Sequence, residues 1–204
     1  MEATVSISPE RFAEGLTIQQ YIEGMQKNRD VFSQNYSNFV LKPDDAAFLR
    51  GLGLNLNVVV LVEDWCGDVL RYVPALARVA EAVPGWNVRL FYRDRNLDLS
   101  DGCLKDGKYR AIPAMLFYDE DMNEVACWIE KPAAVYAAEA QARRAFAAEY
   151  CYLPDAGLPV EDMSAKTRDI YAGYIRQFRT NNHTHWQQLF IDELKERLLP
   201  KTRN

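Results

Sequence analysis

Val58-Val59-Val60-Leu61-Val62-Glu63-Asp64-Trp65-Cys66-Gly67-Asp68-Val69-Leu70, residues 58–70, is the stretch on which the fold turns. Val58 to Val62 is a β-branched run, too short and too uniformly apolar for a strand with one wet face. It reads as a central strand covered on both sides. Six mostly polar residues end the run, and beyond them Val69, Leu70, Val73, Leu76, Val79 and Ala80 recur at helical spacing until Val83-Pro84-Gly85. Pro74 falls inside this helix and predicts a kink, because it lacks a backbone donor and crowds the preceding turn.

Downstream, Trp86 to Tyr92 reads as a second strand. A strand-helix-strand unit requires a crossover, hence a parallel, right-handed pairing and an α/β sheet. Arg93 to Arg110 is polar, with a short helix expected around Leu99 to Leu104. Ala114 to Tyr118 and Glu124 to Ile129 flank the turn Asp119 to Asn123 and read as an antiparallel hairpin. The Ala-rich segment Ala133 to Tyr150 favours helix and is expected to cover one face of the sheet. Cys151 to Pro159 reads as a loop, and Ala165 to Leu199 returns to helix.

Upstream, Phe12, Leu16, Ile18, Tyr21, Ile22 and Met25 suggest one or two amphipathic helices over residues 9–34, and Pro43 opens another that stops at Gly51 and Gly53. The expected organisation is a helical segment over 1–54 packed on the core, an α/β core over 55–150, and a helical extension over 151–204.

The chain has 204 residues, 49% hydrophobic and 26% charged, enough to bury a core without covalent staples. The cysteines at 66, 103, 127 and 151 therefore do not define a disulfide-framework fold. No apolar stretch approaches the roughly 20 residues that span a bilayer. Met1 to Val5 lack a basic, then apolar, secretory leader, so a cytoplasmic protein with reduced thiols is expected. A net charge of -5 gives no general attraction for phosphate. Neither nucleic acid nor a membrane is an expected partner.

A strand, then Trp65-Cys66-Gly67-Asp68-Val69, helix, strand, loop, Ile112-Pro113, hairpin and helix: this order resembles the thioredoxin fold. More narrowly, Glu63 to Asp68 is similar to the core of a thioredoxin-like family of bacterial and archaeal proteins that reads Glu-Asp-Trp-Cys-Gly-Asp, and the segment from Ile18-Gln19-Gln20-Tyr21 has counterparts there. The resemblance implies an α/β thioredoxin-like fold, a mixed sheet flanked by helices, with helical extensions at both ends. It implies Cys66 as nucleophile, Pro113 as a cis-proline, and a substrate groove formed by Trp65, Gly67, Asp68, Ile112 and Pro113, with the backbone of Ala111 and Ile112 pairing with an extended substrate. Two departures matter. The thioredoxin resolving cysteine, three residues after the first, is replaced by Val69, and the buried acid about six residues before the nucleophile by Val60. A two-cysteine exchange at this motif is excluded.

Cys66 also has a physical case of its own. At the junction of a buried strand and the first turn of a helix, unsatisfied N–H groups and the helix dipole favour a thiolate. Glu63, Asp64 and Asp68 oppose it through like charge. The sequence leaves the sign of the shift open. The plain alternative is an inert, largely buried cysteine.

A mixed disulfide at Cys66 has three fates: release by a small external thiol such as glutathione, attack by a distant cysteine, or no resolution. Cys103, in the polar loop, is the best distant candidate, although a lone loop cysteine is more often a bystander. Cys127 reads as a small core hydrophobe, and Cys151 has no evident role. No paired spacing supports a thiolate metal site. His183 and His185 read as part of a solvated helix break, and Arg93-Asp94-Arg95 as a surface ion pair at the carboxyl end of the sheet.

Three functional readings stand: a monothiol redox protein acting on a protein or small-molecule disulfide without a resident cofactor; a non-catalytic protein- or peptide-binding module; and a glutathione-conjugating enzyme, for which the extension after Tyr150 is short.

Overall fold

A computed structural model of the protein describes residues 6–199; the reading of Met1 to Val5 lies outside them. The described chain divides into two compact units, residues 6–131 with 190–199, and Pro132–Leu189.

The first unit is built on a four-stranded sheet in the order β2-β1-β3-β4. β1 (Leu56–Val62) is internal and buried at every position except Asn57, as its β-branched run requires. It runs parallel to β2 (Trp86–Tyr92), from Leu56 opposite Trp86 to Val62 opposite Tyr92, and antiparallel to β3 (Ala114–Tyr118). β3 and β4 (Glu124–Ile129) form the expected antiparallel hairpin. This mixed sheet flanked by helices is the thioredoxin-like α/β fold that the resemblance implied.

The crossover from β1 to β2 is α5 (Gly67–Ala82), which passes through Pro74. Proline deprives the carbonyl four residues back of its helical donor. That carbonyl belongs to Leu70, and the side-chain amide of Asn35 donates to it at 2.7 Å. The site of backbone weakness is thereby satisfied from a neighbouring helix.

The stretch over 9–34, expected to form one or two helices, forms α1 (Pro9–Ala13), α2 (Ile18–Gly24) and the start of α3 (Arg29–Asn38). Two local features divide it. Thr17 and Gln20 form a reciprocal capping box that starts α2 afresh. Ahead of it, Gly15 passes so close to β2 that a Cβ would stand 2.5 Å from the Phe91 ring, and Leu16 exchanges backbone hydrogen bonds with Leu90 at 2.9 and 2.8 Å. That short bridge occupies backbone groups on the outer side of β2 that would otherwise be open to another chain. α4 (Pro43–Gly51) follows as expected. The short helix α6 (Leu97–Asp101) lies slightly earlier than expected, before Gly102. The end of α9 (His183–Leu198) also belongs to this unit: Phe190 lies edge-to-face on Trp128 at 4.7 Å, and the Trp128 indole donates to Glu193 at 2.9 Å.

The second unit contains α7 (Ala133–Glu149), α8 (Ala165–Asn181) and the start of α9. Its apolar centre is Phe146 with Leu153, Ala156 and Met163, bordered by Tyr150, Tyr171 and Tyr174. The helix expected from Ala165 to Leu199 is two helices. The break falls at Asn182, whose side-chain amide donates to the Phe178 carbonyl at 2.8 Å and competes with continued helix. Trp186 is buried and packs on Phe178. No helix among the described residues is long and apolar enough to cross a membrane.

Candidate functional site

Cys66 is the N-cap of α5, with extended backbone at φ -84° and ψ 120°, and no side-chain cap bond is made there. The chain reaches this point because β1 ends at Val62 and a turn closes from the Cys66 N–H to the Glu63 carbonyl at 3.2 Å. The Cys66 carbonyl then accepts the first helical bond, from Leu70. The sulfur is half-buried and faces the chain before β3: its S–H donates to the Ile112 carbonyl at 3.5 Å. The Ile112–Pro113 peptide is cis, and the Pro113 carbonyl accepts from the Glu130 N–H at 2.7 Å, which ties this loop to the end of the hairpin. Cys66, Ile112 and Pro113, 46 positions apart at the hydrogen bond, are therefore brought together.

The other candidates surround this contact. Trp65 is exposed at 49%, while Ile112 is buried. Gly67 opens outward, so that a Cβ built on it meets no atom within 4 Å and the approach over the first turn is clear. Asp68 is held by Arg71 at 2.9 Å and by Lys131 at 3.8 Å.

The contest over the Cys66 thiol goes against the thiolate. Burial is the largest influence and pushes the thiol up; the N–H groups of Val69 and Asp68 and the Arg93 guanidinium pull it down, and Asp68 pushes it up. Of the three carboxylates expected to bear on the sulfur, Asp68 is the one among its largest influences. Asp64 instead accepts the Gln26 and Lys27 N–H groups at 2.8 and 2.9 Å, and Glu63 accepts the Asp94 N–H at 2.9 Å. Both are anchors for neighbouring loops, a role invisible in their spacing.

Arg93 departs from its reading as a surface ion pair. It does bond Asp94, but it also donates to the Arg110 carbonyl at 3.0 Å and lies over the Trp65 ring at 5.4 Å. It thus joins the chain after β2 to both the Trp65 turn and the proline loop. Its place at the carboxyl end of a parallel strand was the signal available for it.

The structure places Cys103, the distant candidate for a resolving thiol, beside Cys127 and not beside Cys66. Cys103 is buried, and its sulfur lies 2.6 Å from that of Cys127. Cys127, expected as a plain core hydrophobe, is half-buried and partnered, whereas Cys151 is exposed. Val69 and Val60 are fully buried. Among the described residues no three His, Cys, Asp or Glu side chains are grouped to hold a metal ion.

A cysteine capping the crossover helix of a mixed sheet, facing a cis-proline loop, defines a thioredoxin-fold protein. A family model described as Thioredoxin matches residues 15–143, and the chain belongs to that family. The match begins at Gly15, so it takes in α2 and α3 as well as the sheet. Among solved structures, a protein of unknown function from Pseudomonas aeruginosa is similar at 20% identity and a TM-score of 0.56, over 70% of this chain and 88% of that one. An HIV epitope-scaffold is similar at 17% identity and a TM-score of 0.60, over 94% and 96%. Likeness at these identities speaks to the fold alone. No curated protein matches the sequence.

Proposed function

We propose that the protein is a monothiol redox member of the thioredoxin family, with Cys66 as nucleophile. The supporting observation is the placement of its sulfur at the head of α5, against the Ile112 carbonyl and beside the cis Pro113, with Gly67 leaving the approach open. In the step envisaged, Cys66 loses its proton to solvent and the thiolate attacks one sulfur of a substrate disulfide. A Cys66–substrate disulfide forms, the substrate S–S bond breaks, and the other half leaves as thiolate. With Val69 in place of a second cysteine, release falls to an external thiol such as glutathione, which takes over the bond to the substrate and returns Cys66. Trp65, Asp68 and the backbone of Ala111 and Ile112 would seat the substrate, and Arg93 positions Trp65.

One observation favours a second reading, a peptide-binding module without turnover: burial holds the Cys66 thiol above its ordinary value, so the thiolate is scarce near neutrality. The test is the rate at which folded wild-type protein and Cys66→Ser form a mixed disulfide with an aromatic disulfide reagent across pH, with peptide mapping. The redox reading expects an adduct at Cys66 that already forms near neutrality and that glutathione removes; a rate that only rises past pH about 8.5 supports the binding module. No adduct at Cys66 in folded protein at any pH overturns that reading in favour of the binding module.

A further inference from the structure

A second pair of thiols lies apart from Cys66. Cys103 follows α6, its N–H donating to the Ser100 carbonyl at 3.1 Å, and Cys127 sits in the middle of β4 opposite Leu116. The fold sets the two sulfurs 2.6 Å apart across 24 positions of sequence, where a disulfide bond is about 2.05 Å long. β4 is the edge strand of the sheet, and alternation along it puts Cys127 on the face opposite the fully buried Trp128.

We propose that Cys103 and Cys127 form a second redox site, a dithiol that a hydroperoxide oxidises to an intramolecular disulfide. The pair is unequal. Cys103 is buried, and Cys127 is more exposed to solvent. Being the more accessible of the two, Cys127 meets the oxidant, while the Cys127 sulfur and burial together push the Cys103 thiol up. The charged groups acting on the pair are Glu124, which disfavours ionisation, and Arg197, which favours it and also donates to the Cys127 carbonyl at 2.7 Å.

Cys127 loses its proton to solvent and its thiolate attacks one peroxide oxygen; an S–O bond forms, the O–O bond breaks, and the hydroxide or alkoxide that leaves takes up a proton to become water or an alcohol. Cys103, losing its proton to solvent, attacks the resulting sulfenic sulfur; the S–S bond forms, the S–O bond breaks, and a second water leaves. Two thiols are oxidised and one peroxide is reduced. The product ties the chain after α6 to the sheet edge, at the base of the segment that carries Arg110 and Ile112 to the Cys66 site.

The test treats folded wild-type protein and Cys66→Ser with one equivalent of hydrogen peroxide, then blocks free thiols and maps peptides without reduction. Both proteins are expected to lose two hydrogens, with the Cys103 and Cys127 peptides joined. Dithiothreitol should restore both thiols, and the oxidised form should melt roughly 5 to 10 °C higher through the closed loop. In Cys103→Ser, a dimedone adduct should appear at Cys127. Two free thiols after treatment, a bridge formed only in unfolded protein, or a dimedone adduct at Cys103 in Cys127→Ser with none at Cys127 in Cys103→Ser would overturn the assignment. Because Cys66→Ser should bridge as well as wild type, failure here is distinct from failure of the Cys66 reading.

Discussion

Two helices of similar length begin in opposite ways. α8 starts on Ser164, whose hydroxyl accepts the Thr167 N–H at 3.3 Å, and Asp155 accepts both the Ser164 N–H and the Thr167 hydroxyl. Its first turn is closed by side-chain oxygens, as helix starts commonly are. α5 starts on Cys66, which makes no cap bond; the N–H groups of Asp68 and Val69 bear instead on a sulfur, and the S–H turns away to Ile112. A hydroxyl or carboxylate there would suit the helix better. The α8 start is arranged for stability, while the α5 start gives up a cap to hold a thiol beside the proline loop.

Removing the thiol should have the largest effect. Cys66→Ala should abolish mixed-disulfide formation at this position while the protein keeps its circular dichroism spectrum. An unchanged reagent stoichiometry in folded protein would show that the α5 start holds no reactive sulfur. Val69→Cys restores a second thiol one turn along α5, where residues three apart have Cα atoms about 5 Å apart, within disulfide reach. Mild oxidation should join it to Cys66, and disulfide turnover should exceed the wild-type level. Because Val69 is fully buried, the reduced variant should lose about 1 kcal/mol on denaturant titration. A variant that does not bridge would mean that the first turn of α5 points its residues elsewhere.

Smaller effects separate the two caps by sign. Ser164→Ala should destabilise the second unit by about 1 kcal/mol, whereas Cys66→Ser, which supplies a hydroxyl cap, should leave stability equal or raise it by about 0.5 kcal/mol. Equal losses at both positions would erase the distinction. The mildest probe is acid. Hydrogen bonds from Thr167 and Ser164 hold Asp155 down at about 2. Its folded value is thus depressed, so its stabilising contribution is present above the ordinary carboxylate value of about 3.9 and disappears as pH falls toward 2. Amide exchange at the start of α8 should quicken over that window, and Asp155→Asn should flatten the dependence.

Much of this was legible in the chain because it is local. The β1-α5-β2 unit follows from a β-branched run and a change of period within 35 residues, 58 to 92. The hairpin follows from a turn between two strand-like runs, and Cys66 stands where the β-branched run gives way to the helical period. The N-terminal stretch was less legible. Its apolar spacing resembles longer helices, but the capping box at Thr17 and the approach of Gly15 to Phe91 break it, and the second of these depends on β2.

The α/β class, the succession of strands and helices along the chain, and Cys66 as the thiol at a helix start are written in local pattern, because side-chain periodicity and turn chemistry act over a few residues. What that thiol meets depends on how distant segments pack. Burial outweighs the helix N–H groups; Asp64 and Glu63 are drawn off to anchor loops, and Arg93 links Trp65 to the proline segment. Cys103 is withdrawn from Cys66 and set on Cys127 by the placement of β4. Each of these depends on distances between residues far apart in the chain, which strand register and packing establish and local propensity does not encode.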